Sequence, residues 1–71
     1  MKEIKTAFDG YVEKELGNGM YDISIPQIGA TIGHISGKMR INKISIAIGD
    51  KVVIEISNYN TKRGRIIKRL K

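Results

Sequence analysis

At 71 residues and 7.9 kDa, with 41% apolar and 28% charged residues, the chain suffices for one small domain and is too apolar for a disordered tail. It has no cysteine and one histidine, which excludes disulfides, thiolate zinc sites and cysteine nucleophiles, and no cofactor is expected. Thirteen Lys/Arg against seven Asp/Glu give a net charge of +6 and a pI near 9.8; this fits a polyanionic partner such as nucleic acid, a ribonucleoprotein or an anionic membrane surface, but also a merely soluble basic protein.

The opening MKEIKTAFDG mixes both charge signs without an apolar stretch, so no targeting segment is expected. No apolar run approaches the roughly 20 residues of a transmembrane helix, and no membrane partner is expected. Residues 6–16 read as a first strand carrying Phe8, Val12 and Leu16, with Tyr11 and Glu13 pointing elsewhere. Gly17-Asn18-Gly19 supplies residues that tolerate positive φ, which predicts a tight hairpin into a second strand over 20–25. There Tyr21, Ile23 and Ile25 alternate with Met20, Asp22 and Ser24, and Pro26 ends the run because it cannot donate to a ladder. A third strand covers 30–35.

Ser36 is suited to cap a short helical turn over 38–41. Residues 44–48 alternate like a strand but would also pack as a loop, and periodicity leaves both open. The turn Gly49-Asp50 opens a fourth strand marked by Val52, Ile54 and Ile56. After the polar turn 57–61 a fifth strand runs over 62–70. Fourteen isoleucines supply the core, with Phe8 and Tyr21 inside and Tyr11 and Tyr59 exposed. The pattern predicts an all-β protein: a five-stranded OB-fold barrel with a short helical turn between strands 3 and 4, occupying residues 1–71 as one domain. An SH3-like barrel has the same periodicity.

Catalytic patterns are weak. His34, Ser36 and Asp50 have the composition of a triad, but nothing orients a base or builds an oxyanion hole, and His34 reads as a surface residue at a strand end. Gly33-x-x-x-Gly37-Lys38 has one residue too few between its glycines for a phosphate loop, and Met39 follows where Ser or Thr is needed. The acids are scattered without the context of an acid–base pair or a metal cage. No enzymatic activity is expected.

The cations, by contrast, cluster. Lys62, Arg63, Arg65, Lys68, Arg69 and Lys71 fall in the last ten positions, and no acid follows Glu55. Strand alternation predicts Arg63, Arg65 and Arg69 on one side, interrupted by Ile67, with Ile66 inward beside Gly64. Guanidinium forks on a pleated surface suit phosphate. A frayed basic tail is the plainer alternative, but Ile66, Ile67 and Leu70 are out of character for one. Lys38 and Arg40 form a second cluster next to His34. The aromatics are too few for a base-stacking platform, although Tyr59 or Tyr11 could stack one base, so folded RNA is a better fit than a single strand.

The segments His34-Ile35-Ser36-Gly37-Lys38-Met39-Arg40, Gly49-Asp50-Lys51-Val52 and Lys62-Arg63-Gly64-Arg65-Ile66-Ile67 together closely resemble bacterial-type translation initiation factor one, in its bacterial and plastid forms. Asn18-x-Met20-Tyr21 sits where that family carries a hairpin and an aromatic, and the resemblance runs from about Gly10 to Arg69. It implies an OB-fold without catalytic activity that binds the A site of the small ribosomal subunit. There it would contact a long decoding helix and a neighbouring loop of the rRNA, beside a ribosomal protein. It also implies that initiation factors two and three are partners in directing initiator tRNA to the P site. The matched residues are Lys38 and Arg40 in the loop and Arg63, Arg65 and Arg69 in the last strand, with His34 and Ser36 in the same motif. Ile41, Ser45 and Asp22 stand where relatives often carry basic residues, which shifts weight to the C-terminal strand.

The candidate RNA-binding residues are therefore His34, Lys38, Arg40, Tyr59, Lys62, Arg63, Arg65 and Arg69. The protein is expected to be a monomer when free, in a bacterial cytoplasm or an organelle stroma. A general single-stranded RNA-binding protein or RNA chaperone on the same fold is the competing function.

Overall fold

The computed structural model describes residues 2–70, so the Lys71 of the C-terminal basic cluster lies outside the described residues. The chain runs β1 (Lys5–Gly17), β2 (Met20–Ile25), β3 (Gly29–Ile35), α1 (Gly37–Ile41), β4 (Lys51–Ser57) and β5 (Asn60–Arg69). The strands close into a barrel in the order β1-β2-β3-β5-β4. All neighbours are antiparallel except β3 and β5, which run parallel. A five-stranded Greek-key barrel with its helix between β3 and β4 is the OB-fold.

The predicted elements all form, with ends shifted by a residue or two. Asn18 (φ 55°) and Gly19 (φ 74°) make the first hairpin turn, in the left-handed region that Asn and Gly tolerate best. Residues 44–48 form no strand. Ile46 alone of the three isoleucines there is half-buried against the core, while Ile48 is 67% exposed. The end of this loop is tied to β1, with Val12 N donating to Asp50 O at 2.9 Å and Gly49 N to Val12 O at 2.8 Å. Asp50 Oδ2 accepts from Ala47 N at 2.8 Å.

β1 serves two neighbours. Its first half, Lys5 to Tyr11, pairs with β4, and its second half, from Tyr11 on, with β2. The strand must coil to do both, and Gly10 sits at the handover. A Cβ there would come 2.6 Å from Ile23 Cγ2 and 3.1 Å from Ser24 O. The β1–β2 register shifts around Glu13 and again around Leu16, the signature of β-bulges. They break the alternation that would carry Leu16 inward with Phe8 and Val12. Leu16 is 43% exposed, which corrects its expected place on the apolar face, whereas Phe8 packs against the core from a half-buried position.

The core consists of Val12, Tyr21, Ile23, Ile25, Met39, Val52, Ile54, Ile56 and Ile66. β2 and β4 supply alternate residues, β1 and β5 one each, β3 turns Thr31 and Gly33 inward, and Met39 of α1 plugs one end. Where β3 and β5 meet, Gly33 faces Gly64. A Cβ on Gly64 would lie 2.5 Å from Ile56 Cδ1 and 2.8 Å from the Glu55 carbonyl oxygen, and backbone cannot yield as a side chain can. Gly64→Ala is therefore expected to destabilise the barrel by about 1–3 kcal/mol through overpacking. Thermal denaturation followed by circular dichroism checks this; an unchanged melting temperature would contradict the tight seam.

Candidate nucleic-acid interface

α1 has five residues, too few to stand alone, and is held from outside. Ser36 caps it, its Oγ accepting from Met39 N at 3.2 Å, and Ser36 N donates to Ile66 O of β5 at 3.0 Å. Met39 is 2% exposed and anchors the helix in the barrel end, which leaves Lys38 and Arg40 on either side of it in solvent. Asn42 N donates to Lys38 O and Ile44 N to Met39 O, and Lys43 (φ 55°) turns the chain away. Ser36 and Asp50 both have local structural duties, as cap and as turn acceptor.

The two helix cations point to different neighbours. A Cβ on Gly19 would be 3.0 Å from Arg40 Nη2, so the Arg40 guanidinium lies over the tip of the first hairpin. That tip is tied to the end of β3, Gly19 O accepting from Ile35 N at 3.1 Å. Lys38 instead lines an open groove of about 490 Å³ with Met39, Asn42, Ile44, Ile67, Lys68 and Arg69. Arg69 Nη1 donates to Ser45 O at 3.0 Å, pinning the loop after α1 to β5.

Down β5, Arg65 lies beside His34 of β3 and opposite Glu55 of β4, and Arg63 lies beside Ile32. Arg65 Nη2 donates to Glu55 Oε1 at 2.9 Å. The expected single row of Arg63, Arg65 and Arg69 is corrected here. The register shifts so that Ile54 faces Ile66 while Val53 faces Lys68, which makes Ile67 a bulge. Beyond it Lys68 takes the outward phase opposite Val53, and Arg69 pairs with the buried Val52 and turns toward the loop after α1. Lys68 thus joins the face, a role that strict alternation assigned to Arg69.

Tyr59 is not gathered with the others, whereas Lys62 is exposed next to Arg63. Tyr59 sits in the turn between β4 and β5, 57% exposed. At ~3.3 Å per residue, Tyr59 is roughly 30 Å along the strand from Arg69. The acids mostly occupy the other side: Asp9, Glu13 and Glu15 on β1 and Asp22 on β2, the last opposite Lys14. Among the described residues, no three His, Asp or Glu side chains are grouped to hold a metal ion. No helix of the described residues is long and apolar enough to cross a membrane.

A closed five-stranded barrel with cations from its helix and last strand on one face defines a small, basic OB-fold protein of the RNA-binding class. The family described as translation initiation factor 1A / IF-1 matches residues 2–71, and the chain belongs to that family. It is 44% identical over 71 residues to the chloroplastic translation initiation factor IF-1 of Antirrhinum majus, covering all of this chain and 92% of that one. It is 44% identical over 69 residues to the chloroplastic IF-1 of Oryza sativa subsp. indica, covering 97% of this chain and 64% of the rice protein's length. The solution structure of translation initiation factor one from the Wolbachia endosymbiont of Brugia malayi matches with a TM-score of 0.75 at 39% identity, over 94% of this chain and 79% of that one. This match sets aside the SH3-like alternative.

Because the cap hydroxyl fixes α1, Ser36→Ala is expected to cost about 0.5–2 kcal/mol. Amide hydrogen exchange should localise the loosening to residues 37–44; uniform protection relative to the parent would contradict it.

Proposed function

We propose that the protein binds the A site of the small ribosomal subunit through rRNA contacts and assists initiation factors two and three in selecting initiator tRNA at the P site. Family membership supports the setting. The observation that carries the reading is the convergence of α1 and β5: Lys38 of α1 shares one groove with Lys68 and Arg69 of β5, Arg65 and Arg63 follow along the strand, and Arg40 lies over the first hairpin tip. A rigid array of this kind matches the closely spaced phosphates of folded RNA. Such RNA is recognised by shape and by sugar and phosphate contacts, and each neutralised phosphate releases counterions.

The aromatic residues argue against a general single-strand binder. Tyr59 is at the far end of β5 and Tyr11 is on β1, so the centre of the basic face offers no stacking platform. The departures from the family pattern weaken the middle of the face. Ile41 is 80% exposed and uncharged, and Ser45 contributes its carbonyl to Arg69. β5 is therefore the larger contributor to affinity. The protein acts as a monomer, in a bacterial cytoplasm or organelle stroma.

The test is binding of labelled protein to purified small subunits across a salt series, with unrelated single-stranded RNA in excess. Saturable one-to-one binding that survives the competitor supports the reading; binding abolished by it points to a general RNA-binding protein or chaperone. Arg63→Ala is expected to lower subunit affinity by about 1–3 kcal/mol, as for a lost charge-assisted bond, with the melting temperature unchanged. A lower melting temperature with intact affinity would assign Arg63 to the fold instead.

A further inference from the structure

One row of outward side chains crosses all five strands: Met20 on β2, His34 on β3, Arg65 on β5, Glu55 on β4 and Ala7 on β1. Glu55 is the anomaly in that row. Among the described residues it is the acid that forms an ion pair with a cation of the basic face; the other ion pair, Lys51–Asp9 at 3.6 Å, joins β4 to β1. The Glu55 side chain is 26% exposed and the Arg65 side chain 56% exposed. Glu55 is thus the more confined partner, and Arg65 the one whose side chain stays largely in water. The contact is a single Nη2–Oε1 bond of 2.9 Å. A guanidinium carries five N–H donors in a rigid fork, so one such bond restrains the group while donors remain for an incoming oxygen.

We propose that Glu55 is a specificity-determining residue that orients Arg65 and masks it. The inference rests on the reading that this face binds structured RNA. A phosphate held rigidly where the fork points meets a donor already in place, and saves the entropy of ordering it. A flexible polyanion, free to seek any mobile cation, meets a neutralised pair. The carboxylate also lowers the local positive potential toward any loosely held strand, within a Debye length of about 10 Å. Selectivity then arises from an element unfavourable to the wrong partner as much as from attraction to the right one.

The test compares wild type, Glu55→Gln, Glu55→Gln/Arg65→Ala and Arg65→Lys in binding to small subunits and to an unstructured oligouridylate, each across a salt series. Glu55→Gln keeps size and polarity and removes the charge. It should bind the oligouridylate about two- to fivefold tighter, the range set by an exposed ion pair. Its salt slope should steepen by about 0.7, one more phosphate engaged on a single strand. Its subunit affinity should not rise. The double variant should lose the gain. Arg65→Lys keeps the charge without the fork, and should weaken subunit binding while sparing the oligouridylate. Equal tightening toward both ligands, a gain that persists without Arg65, or a parallel loss on both with a lowered melting temperature would each overturn the role of Glu55. Failure of the wild type to bind subunits would instead overturn the parent reading, and this inference with it.

Discussion

The parallel contact between β3 and β5 is the constraint on which the rest of the structure depends. Without it the strands would form an open antiparallel sheet with two edges; with it they form a barrel with none. The contact requires a close approach, and both strands meet it by omitting a side chain at Gly33 and Gly64. The space is taken by isoleucines: Ile23, Ile54 and Ile66 crowd the Cβ position of Gly33, and Ile54 and Ile56 that of Gly64. The core and the closure are thus a single fact. The same seam sets His34 beside Arg65 and Ile32 beside Arg63, so the register that fills the interior also spaces the charges outside.

Around that seam the basic face is assembled from parts with no cohesion of their own. A five-residue helix cannot persist in water, yet a serine cap, one buried methionine and a backbone bond to Ile66 hold it. The loop beyond is tied back by Arg69 through the Ser45 carbonyl. Arg69 therefore has a structural task alongside any contact with RNA, whereas Arg63 and Lys68 present themselves outward.

Much of this is legible in the residues. Asn18-Gly19 encodes a hairpin, Ser36 encodes a cap, and the alternating isoleucines of β2 and β4 encode strands with one wet face. These signals are local, so a sequence exposes them. The bulges at Glu13, Leu16 and Ile67 are not legible, because a bulge is defined by the partner strand and not by the bulged one. Each resets the alternation. This is why Leu16 turns outward and why Lys68, not Arg69, continues the outer row. The fate of 44–48 is open in the sequence for a related reason: its period suits a strand, but the closed barrel has no edge left to receive one. Tyr59 looks close to the arginines in number, yet an extended strand carries it far from Arg69.

The double service of β1 also governs how the chain reaches this state. Lys5 pairs with Ser57 and Gly10 with Val52, while the β3–β5 contact joins Ile32 to Arg63. Only the two hairpins and the β2–β3 pair form between neighbours in sequence. Closing the remaining seams means bringing together segments separated by much of the chain, and such topologies fold in milliseconds to seconds, not microseconds. During synthesis the first hairpin can form early, but its β4 partner and the β5 seam wait until the final basic strand is available. The segment richest in positive charge is also the last piece of the barrel wall, so this face comes into being only when the molecule does.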